Sequence, residues 1–179
     1  MLRAFGWSLG LLFLSTLEAA ASEKTVYAEL VGGNRIAIAS VKLPAGGQGA
    51  YGFDLDESVL SEHFLSMRPF KCLDLERQTV CHLPYPYELT GEVQAPDWRD
   101  LEYRLLFLFK DAGDYGINFE NGYYFHLEQD GERLIGTRLE TNMDQLASPP
   151  ADGVRYPLEE AELYESEGAS HQLLRLVIE

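Results

Sequence analysis

One short segment groups side chains that could bind a polar ligand or transfer a proton. Strict alternation along a β-strand would put Tyr124, His126 and Glu128 on one face. Asp130-Gly131 is a strong hairpin signal, and a turn there would bring Arg133 opposite Glu128 on the next strand. A phenol, an imidazole, a carboxylate and a guanidinium on one face could hold a polar ligand or supply a general acid or base. Such residues are also routine on the solvated face of an antiparallel sheet.

No catalytic or metal-binding motif occurs elsewhere in the sequence. Its four histidines and many carboxylates form no HExxH motif, and there is no Gly-x-Ser-x-Gly elbow, Gly-rich phosphate loop or EF-hand loop. His126 has no second histidine or cysteine at ligand spacing, so we expect neither a metal nor a cofactor. A Ser-His-Asp triad built from distant loops stays open, because geometry rather than spacing defines such a triad. The motifs leave enzymatic activity undecided and favour a non-catalytic protein.

The segment Tyr85-Pro86-Tyr87 is a second candidate for contact with a partner. Tyrosine rings are amphipathic and are enriched at protein interfaces, and Pro84 and Pro86 cannot donate to a sheet ladder. The segment could present its rings to a partner, or it could be a turn that packs against the sheet.

The two cysteines, Cys72 and Cys81, are placed to form a disulfide. Residues 70–73 and 80–83 have the pattern of two short strands around the polar turn 74–79. In such a hairpin the two cysteines oppose each other directly, with their Cβ atoms within bonding range. Their separation is not the Cys-x-x-Cys spacing of redox-active or metal-binding pairs. We therefore predict a structural disulfide.

Composition and charge restrict the possible partners. The chain has 179 residues, and its net charge is −15. An acidic surface repels phosphate backbones and anionic lipid headgroups, so we expect no nucleic-acid partner. No segment after residue 21 is apolar enough to predict a membrane-spanning helix. A protein or a small ligand remains as the expected partner.

The N-terminus has the pattern of a secretory signal peptide. Arg3 precedes an apolar stretch from Ala4 to Leu17, which is shorter than a spanning helix requires. Cleavage after Ala21 would place small residues at positions −3 and −1, and the mature chain would begin at Ser22. We predict a signal peptide at 1–21, a single β-rich domain at 22–179, and a periplasmic or secreted location.

Hydrophobic alternation predicts a mostly antiparallel β-protein. The elements expected are an N-terminal hairpin, short helices at 56–65 and 143–147, a final strand at 172–178, and a four-stranded meander at 101–140 with strands 101–110, 115–120, 123–129 and 132–140. Asn121-Gly122 and Asp130-Gly131 are its predicted hairpin turns. We expect an all-β fold, either a sandwich or a closed barrel.

These observations favour a small, exported, soluble protein that acts as a non-catalytic binding, inhibitory or assembly module of the cell envelope. Two alternatives stay open. A β-barrel with an apolar cavity would indicate a carrier of an apolar ligand. A deep pocket that joins a histidine to a carboxylate and a hydroxyl would indicate a small exported hydrolase.

Overall fold

The computed structural model describes residues 21–65, 67–165 and 171–179. These residues form twelve strands, one α-helical turn and four 3₁₀ turns. The strands are β1 (Ser22–Leu30), β2 (Arg35–Leu43), β3 (Gln48–Ala50), β4 (Gly52–Leu55), β5 (Ser61–Leu65), β6 (Arg68–Asp74), β7 (Gln78–His82), β8 (Glu92–Gln94), β9 (Phe107–Asp111), β10 (Gly122–Asp130), β11 (Arg133–Thr141) and β12 (Leu173–Ile178). The helical turn is α1 (Arg99–Glu102), and the 3₁₀ turns are Ala45–Gly47, Glu57–Val59, Met143–Ala147 and Glu160–Glu162. The predicted signal peptide, apart from Ala21, lies outside the described residues.

Ten strands form one antiparallel sheet in the order β4-β2-β1-β12-β11-β10-β9-β7-β6-β5, and β3 pairs with β8 in a separate ribbon. The expected β-dominant antiparallel fold is confirmed. The sheet is not a closed barrel, because its edge strands β4 and β5 do not pair with each other in the described part of the chain. It curves so that Phe53 on β4 stacks near His82 on β7, with ring centroids 6.4 Å apart.

Both faces of the central strands are buried. Alternation along β10 sends Tyr123, Phe125 and Leu127 into one apolar cluster and Tyr124 into another. The second cluster includes Leu146 from the 3₁₀ turn Met143–Ala147. A strand that is covered on both faces has apolar residues at successive positions, as Phe107, Leu108 and Phe109 are in β9.

The predicted disulfide is confirmed. Cys72 on β6 and Cys81 on β7 are directly paired in the ladder and are bonded to each other. Both residues are fully buried in the second apolar cluster.

The predicted strand 101–110 is wrong in its first half. Residues 99–102 form the helical turn α1, and only Phe107–Asp111 is extended as β9. The carboxylates of Asp100 and Glu102 accept hydrogen bonds from distant segments, and this fixes the helical turn. Leu101 and Leu105 are also four residues apart, so their burial fits a turn as well as it fits a strand.

The predicted strand 115–120 is absent from the described structure, so the meander has three strands instead of four. The Asn118 side chain accepts a hydrogen bond from the Glu120 backbone N–H, a local bond that competes with a sheet ladder. Asn121-Gly122 is consequently not a hairpin turn. Gly122 instead begins β10 and pairs with Leu108 of β9.

The predicted register of the β10–β11 hairpin is wrong by two residues. The prediction set Glu128 opposite Arg133, but Glu128 pairs with Ile135, and Arg133 pairs with Asp130. An ion pair of 2.6 Å between Asp130 and Arg133 closes the hairpin. The loop is therefore Gly131-Glu132, and its glycine has a φ of +63°. A type II′ turn requires glycine at this first loop position.

Of the two predicted short helices, one is confirmed as a 3₁₀ turn and the other is largely wrong. Met143–Ala147 is the confirmed turn. In 56–65 only Glu57–Val59 is helical, because the residues that follow pair with β6 as the edge strand β5. Phe64, in β5, is 75% exposed, as is possible for a side chain on an edge strand.

Candidate functional site

The structure separates the four residues of the predicted binding face. A register shift of two preserves which face a side chain occupies, so Tyr124, His126 and Glu128 still alternate on one side of β10. Tyr124, however, is only 4% exposed and lies beneath the surface. Glu128 is exposed and makes no side-chain hydrogen bond or ion pair with any described residue. Arg133 contacts Asp130 beside the turn of the hairpin, at the opposite end of β10 from Tyr124.

Tyr124 and His126, two of the predicted residues, both contact the carboxylate of Glu102, which was not predicted from the sequence. The Tyr124 hydroxyl donates to Glu102 Oε2, and the Leu127 backbone N–H donates to Oε1 at 2.7 Å. His126 Nδ1 lies 3.3 Å from the same Oε1, with its side chain 54% exposed. No pattern in the sequence distinguished Glu102, since the charged residues Asp100 and Arg104 lie two positions away on either side of it.

Burial dominates the electrostatics of Glu102. It raises the pKa of this carboxyl group above its ordinary value, and hydrogen bonds from Tyr124 and Leu127 offset only part of the effect. A carboxylate beside Nδ1 can orient the His126 ring, and the described residues offer Nε2 no partner. The arrangement could exchange a proton with a molecule bound at the surface.

Arg133 belongs to a different cleft, of about 400 Å³, which it lines together with Lys24, Trp98 and Gln129. Its guanidinium is 2.6 Å from the Asp130 carboxylate and 4.0 Å from that of Glu179. Because its nearest contacts are these two carboxylates, Arg133 does not complete a site with His126.

A larger concave surface lies on the other side of α1. Two clefts of about 390 Å³ and about 510 Å³ share Thr90 and Arg155. We call this surface the Arg155 groove and define it by the side chains that matter below, namely Gln48, Tyr85, Tyr87, Glu88, Thr90, Glu92, Gln94, Asp97, Arg99, Asp100, Arg155 and Tyr156.

Asp100 fixes the floor of the Arg155 groove. Its buried carboxylate accepts hydrogen bonds from the Thr90 backbone N–H at 2.7 Å and hydroxyl at 2.6 Å, the Gly91 N–H at 3.1 Å, the Tyr51 hydroxyl at 2.8 Å and the Tyr156 hydroxyl at 3.0 Å. Burial alone would raise the pKa of Asp100, but these donors outweigh it and the pKa is lowered. One carboxylate thus ties three separate segments together.

Hydrogen bonds from two tyrosine hydroxyls also hold the walls of the groove. The Tyr85 hydroxyl donates to the Arg155 carbonyl at 2.9 Å, and the Tyr87 hydroxyl donates to the Leu146 carbonyl at 3.0 Å. Arg99 lies over the Tyr156 ring, 5.1 Å from its centroid. The exposed Arg155 guanidinium has no hydrogen-bond or ion-pair partner among the described residues.

A buried network on the opposite side of β10 is structural. His171 Nδ1 lies 2.6 Å from the Tyr123 hydroxyl, and His171 Nε2 lies 2.9 Å from a Glu140 oxygen. Burial lowers the pKa of His171. Because Tyr123 is fully buried, its phenol is closed to a substrate, and the network holds core segments together.

Only part of the groove could be predicted from the sequence. Tyr85 and Tyr87, predicted as aromatics that could face a partner, both line the groove. Arg99 and Asp100 were not predicted, because the strand expected at 101–110 is replaced at its start by a helical turn that begins at Arg99. Arg155 lies in a loop without a recognisable pattern.

Within residues 21–65, 67–165 and 171–179, no group of three or more His, Cys, Asp and Glu side chains is placed to hold a metal ion. The expectation of no metal stays a prediction. No helix in the same residues has the length and apolarity needed to cross a membrane. Comparisons with protein-family models, curated proteins and solved structures found no match.

Proposed function

We propose that this protein is an exported, non-catalytic binding module and that the Arg155 groove is its ligand site. The observation that carries the proposal is the anchoring of the groove on Asp100, which joins Thr90, Tyr51 and Tyr156 in one buried network. A site whose walls are already held in place binds without a large ordering cost. Clefts of this size are typical of small-ligand sites.

The test is to map where small molecules bind. A library of soluble fragments is screened by NMR on isotope-labelled protein, and we expect the shifted amides to cluster at Gly91, Arg155 and their neighbours. Arg155→Ala should weaken the hits, whereas Arg77→Ala, an exposed arginine outside the described clefts, should leave them unchanged. Hits that cluster instead around His126, or no hits at all in the groove, would remove the proposal.

Variants also separate the groove from the predicted face of Tyr124, His126, Glu128 and Arg133, which stays a prediction. If that face binds the ligand, His126→Ala and Arg133→Ala should weaken binding and Arg155→Ala should not. The reverse pattern supports the groove.

Export is part of the proposal. The buried Cys72–Cys81 disulfide supports an oxidising compartment such as the periplasm or the exterior of the cell. Cleavage after Ala21 gives a specific test, since the intact mass of the exported protein should equal that of residues 22–179. A retained N-terminus would refute the cleavage.

A small hydrolase is the second candidate, and the contact between His126 and Glu102 favours it. The test compares hydrolysis of p-nitrophenyl acetate by the wild type, His126→Ala and His63→Ala. His63 is a matched control because its Nε2 also contacts a carboxylate, that of Asp74, at 2.8 Å. Equal rates in all three proteins would dismiss this candidate. An apolar carrier has less support, since large side chains such as Phe107, Phe125 and Leu176 fill the interior of the curved sheet.

A further inference from the structure

We propose that the ligand of the Arg155 groove is a neutral polyhydroxylated chain, an oligosaccharide by chemical class. This inference rests on the proposed function, because it names the class of molecule that the same groove takes.

The charges in the groove argue against a strongly charged ligand. Arg99 donates to Asp97 from Nε at 2.9 Å and also from Nη2, so these two charges largely neutralise each other. Glu88, Glu92 and Arg155 are exposed and have no side-chain partner among the described residues. A carboxylate only accepts hydrogen bonds and a guanidinium only donates them, whereas a hydroxyl does both. A ligand rich in hydroxyls can therefore satisfy both groups without bringing a charge.

The β3–β8 ribbon supplies a pair of amides beside these charges. Gln48 and Gln94 are directly opposed in the ladder, so their side chains project from the same face. Both line the larger cleft, are exposed, and make no side-chain hydrogen bond with the described residues. Glu92 lies two residues from Gln94 and faces the same way. Each amide offers a donor and an acceptor in one plane, which matches a pair of neighbouring hydroxyls.

The smaller cleft adds aromatic surface. Tyr85 and Tyr87 are half-buried, and their hydroxyls are held by backbone carbonyls, so their rings are fixed. Fixed rings offer apolar surface to the C–H faces of a sugar at low entropic cost. Because Thr90 and Arg155 line both clefts, one chain could extend from the tyrosines to the two glutamines.

Two other ligand classes fit less well. A polyanion would be repelled by a protein of net charge −15. A polycation that extended through both clefts would be repelled by the guanidinium of Arg155, which lines both of them. The mixed lining therefore favours a neutral chain.

Affinity electrophoresis tests the inference on the mature protein. Native gels are cast with neutral polysaccharides (laminarin, dextran, arabinoxylan and soluble starch) or with the anionic polysaccharide alginate. We expect at least one neutral polysaccharide to retard the protein and alginate to have no effect. The double variant Gln48→Ala/Gln94→Ala should bind about ten-fold more weakly, the loss expected for one to two hydrogen bonds. Gln129→Ala is the matched control, because this exposed glutamine lies outside the groove.

The outcomes separate this inference from the proposed function. Retardation by alginate alone, or equal retardation of the double variant and the wild type, overturns the oligosaccharide class. No retardation in any gel overturns it as well, and the binding module still stands if NMR fragment hits map to the groove. The absence of both retardation and groove hits removes both proposals. Thermal melts confirm that the compared variants are folded.

Discussion

Asp100 and Glu102 are buried two residues apart on the single turn of α1, and their pKa values are displaced in opposite directions. Burial acts on both carboxyl groups and raises both pKa values. Hydrogen bonds from Thr90 and Tyr51 reverse that effect at Asp100, whereas those at Glu102 do not. In α1, Asp100 therefore lies at the groove with a carboxyl group that ionises more easily than usual. Glu102 lies against β10 with a carboxyl group that holds its proton to a higher pH than usual.

Replacing Asp100 with asparagine should destabilise the fold by about 3 kcal/mol. An amide has only one oxygen, so it cannot accept hydrogen bonds from all the buried donors that surround the carboxylate. Urea unfolding measures the change. The pKa of Asp100 is lowered on folding. Its ionised carboxylate therefore contributes fully to the free energy of unfolding at pH values above the pKa of Asp100 in the unfolded chain. This contribution is lost as the pH falls through the folded value. The difference between the variant and the wild type should thus narrow below about pH 4.

Asp54→Asn is the matched control, since Asp54 is exposed on the edge strand β4. Its stability should stay within about 0.5 kcal/mol of the wild type. A similarly small effect for Asp100→Asn would show that the floor of the groove is not held by this carboxylate.

Glu102→Gln should change how stability depends on pH. The folded pKa of Glu102 is raised, so between the unfolded value and the folded value the native protein holds a proton that the unfolded chain has released. Wild-type stability therefore loses this contribution as the pH rises through that window. Glutamine does not titrate, so the stability of the variant relative to the wild type should rise above about pH 4 and level off once the pH exceeds the folded pKa of Glu102.

Urea unfolding at a series of pH values measures this difference, with Glu128→Gln as an exposed control. Burial lowers the pKa of His82 and His171, so these two groups make stability rise with pH, opposite to the effect of Glu102. Both histidines are present in the wild type and in the two variants, so their effect cancels in the comparison. Parallel curves for Glu102→Gln and the wild type would contradict the raised pKa.

Local patterns in the sequence were enough to predict the N-terminal hairpin and the disulfide. Alternation located β1 and β2, and the spacing of Cys72 and Cys81 placed the two residues opposite each other. These features depend on residues close together in the chain. The groove could not be predicted in this way, because Asp100 joins Tyr51 and Tyr156, which are far apart in sequence.

The errors in the meander have a related cause. Large apolar residues from Leu101 to Phe109 alternate as in a strand, but the helical turn is decided by bonds from distant donors to Asp100 and Glu102. In the β10–β11 hairpin, Asp130-Gly131 and Gly131-Glu132 are both acceptable two-residue loops. The choice between them depends on pairing along the whole strand.

Removing the disulfide with Cys72→Ala/Cys81→Ala should lower stability by about 2.5–3 kcal/mol, because a bond that closes a loop of about ten residues restricts the unfolded chain by that amount. Urea unfolding with and without a reductant measures the loss. The reductant should destabilise the wild type and leave the double variant unchanged. Two reactive thiols in unreduced, unfolded wild-type protein would contradict the bond.

Gly122→Ala should destabilise the protein by about 1–3 kcal/mol through overpacking. The glycine does not serve a turn. A Cβ atom built there would overlap the Met143 side chain and lie 2.7 Å from the Thr141 carbonyl oxygen. Gly113→Ala is the matched control, since its Cβ would meet nothing within 4 Å and its φ is not in the left-handed region. Thermal and urea unfolding of both variants should separate them, and equal stabilities would show that Met143 moves aside without cost.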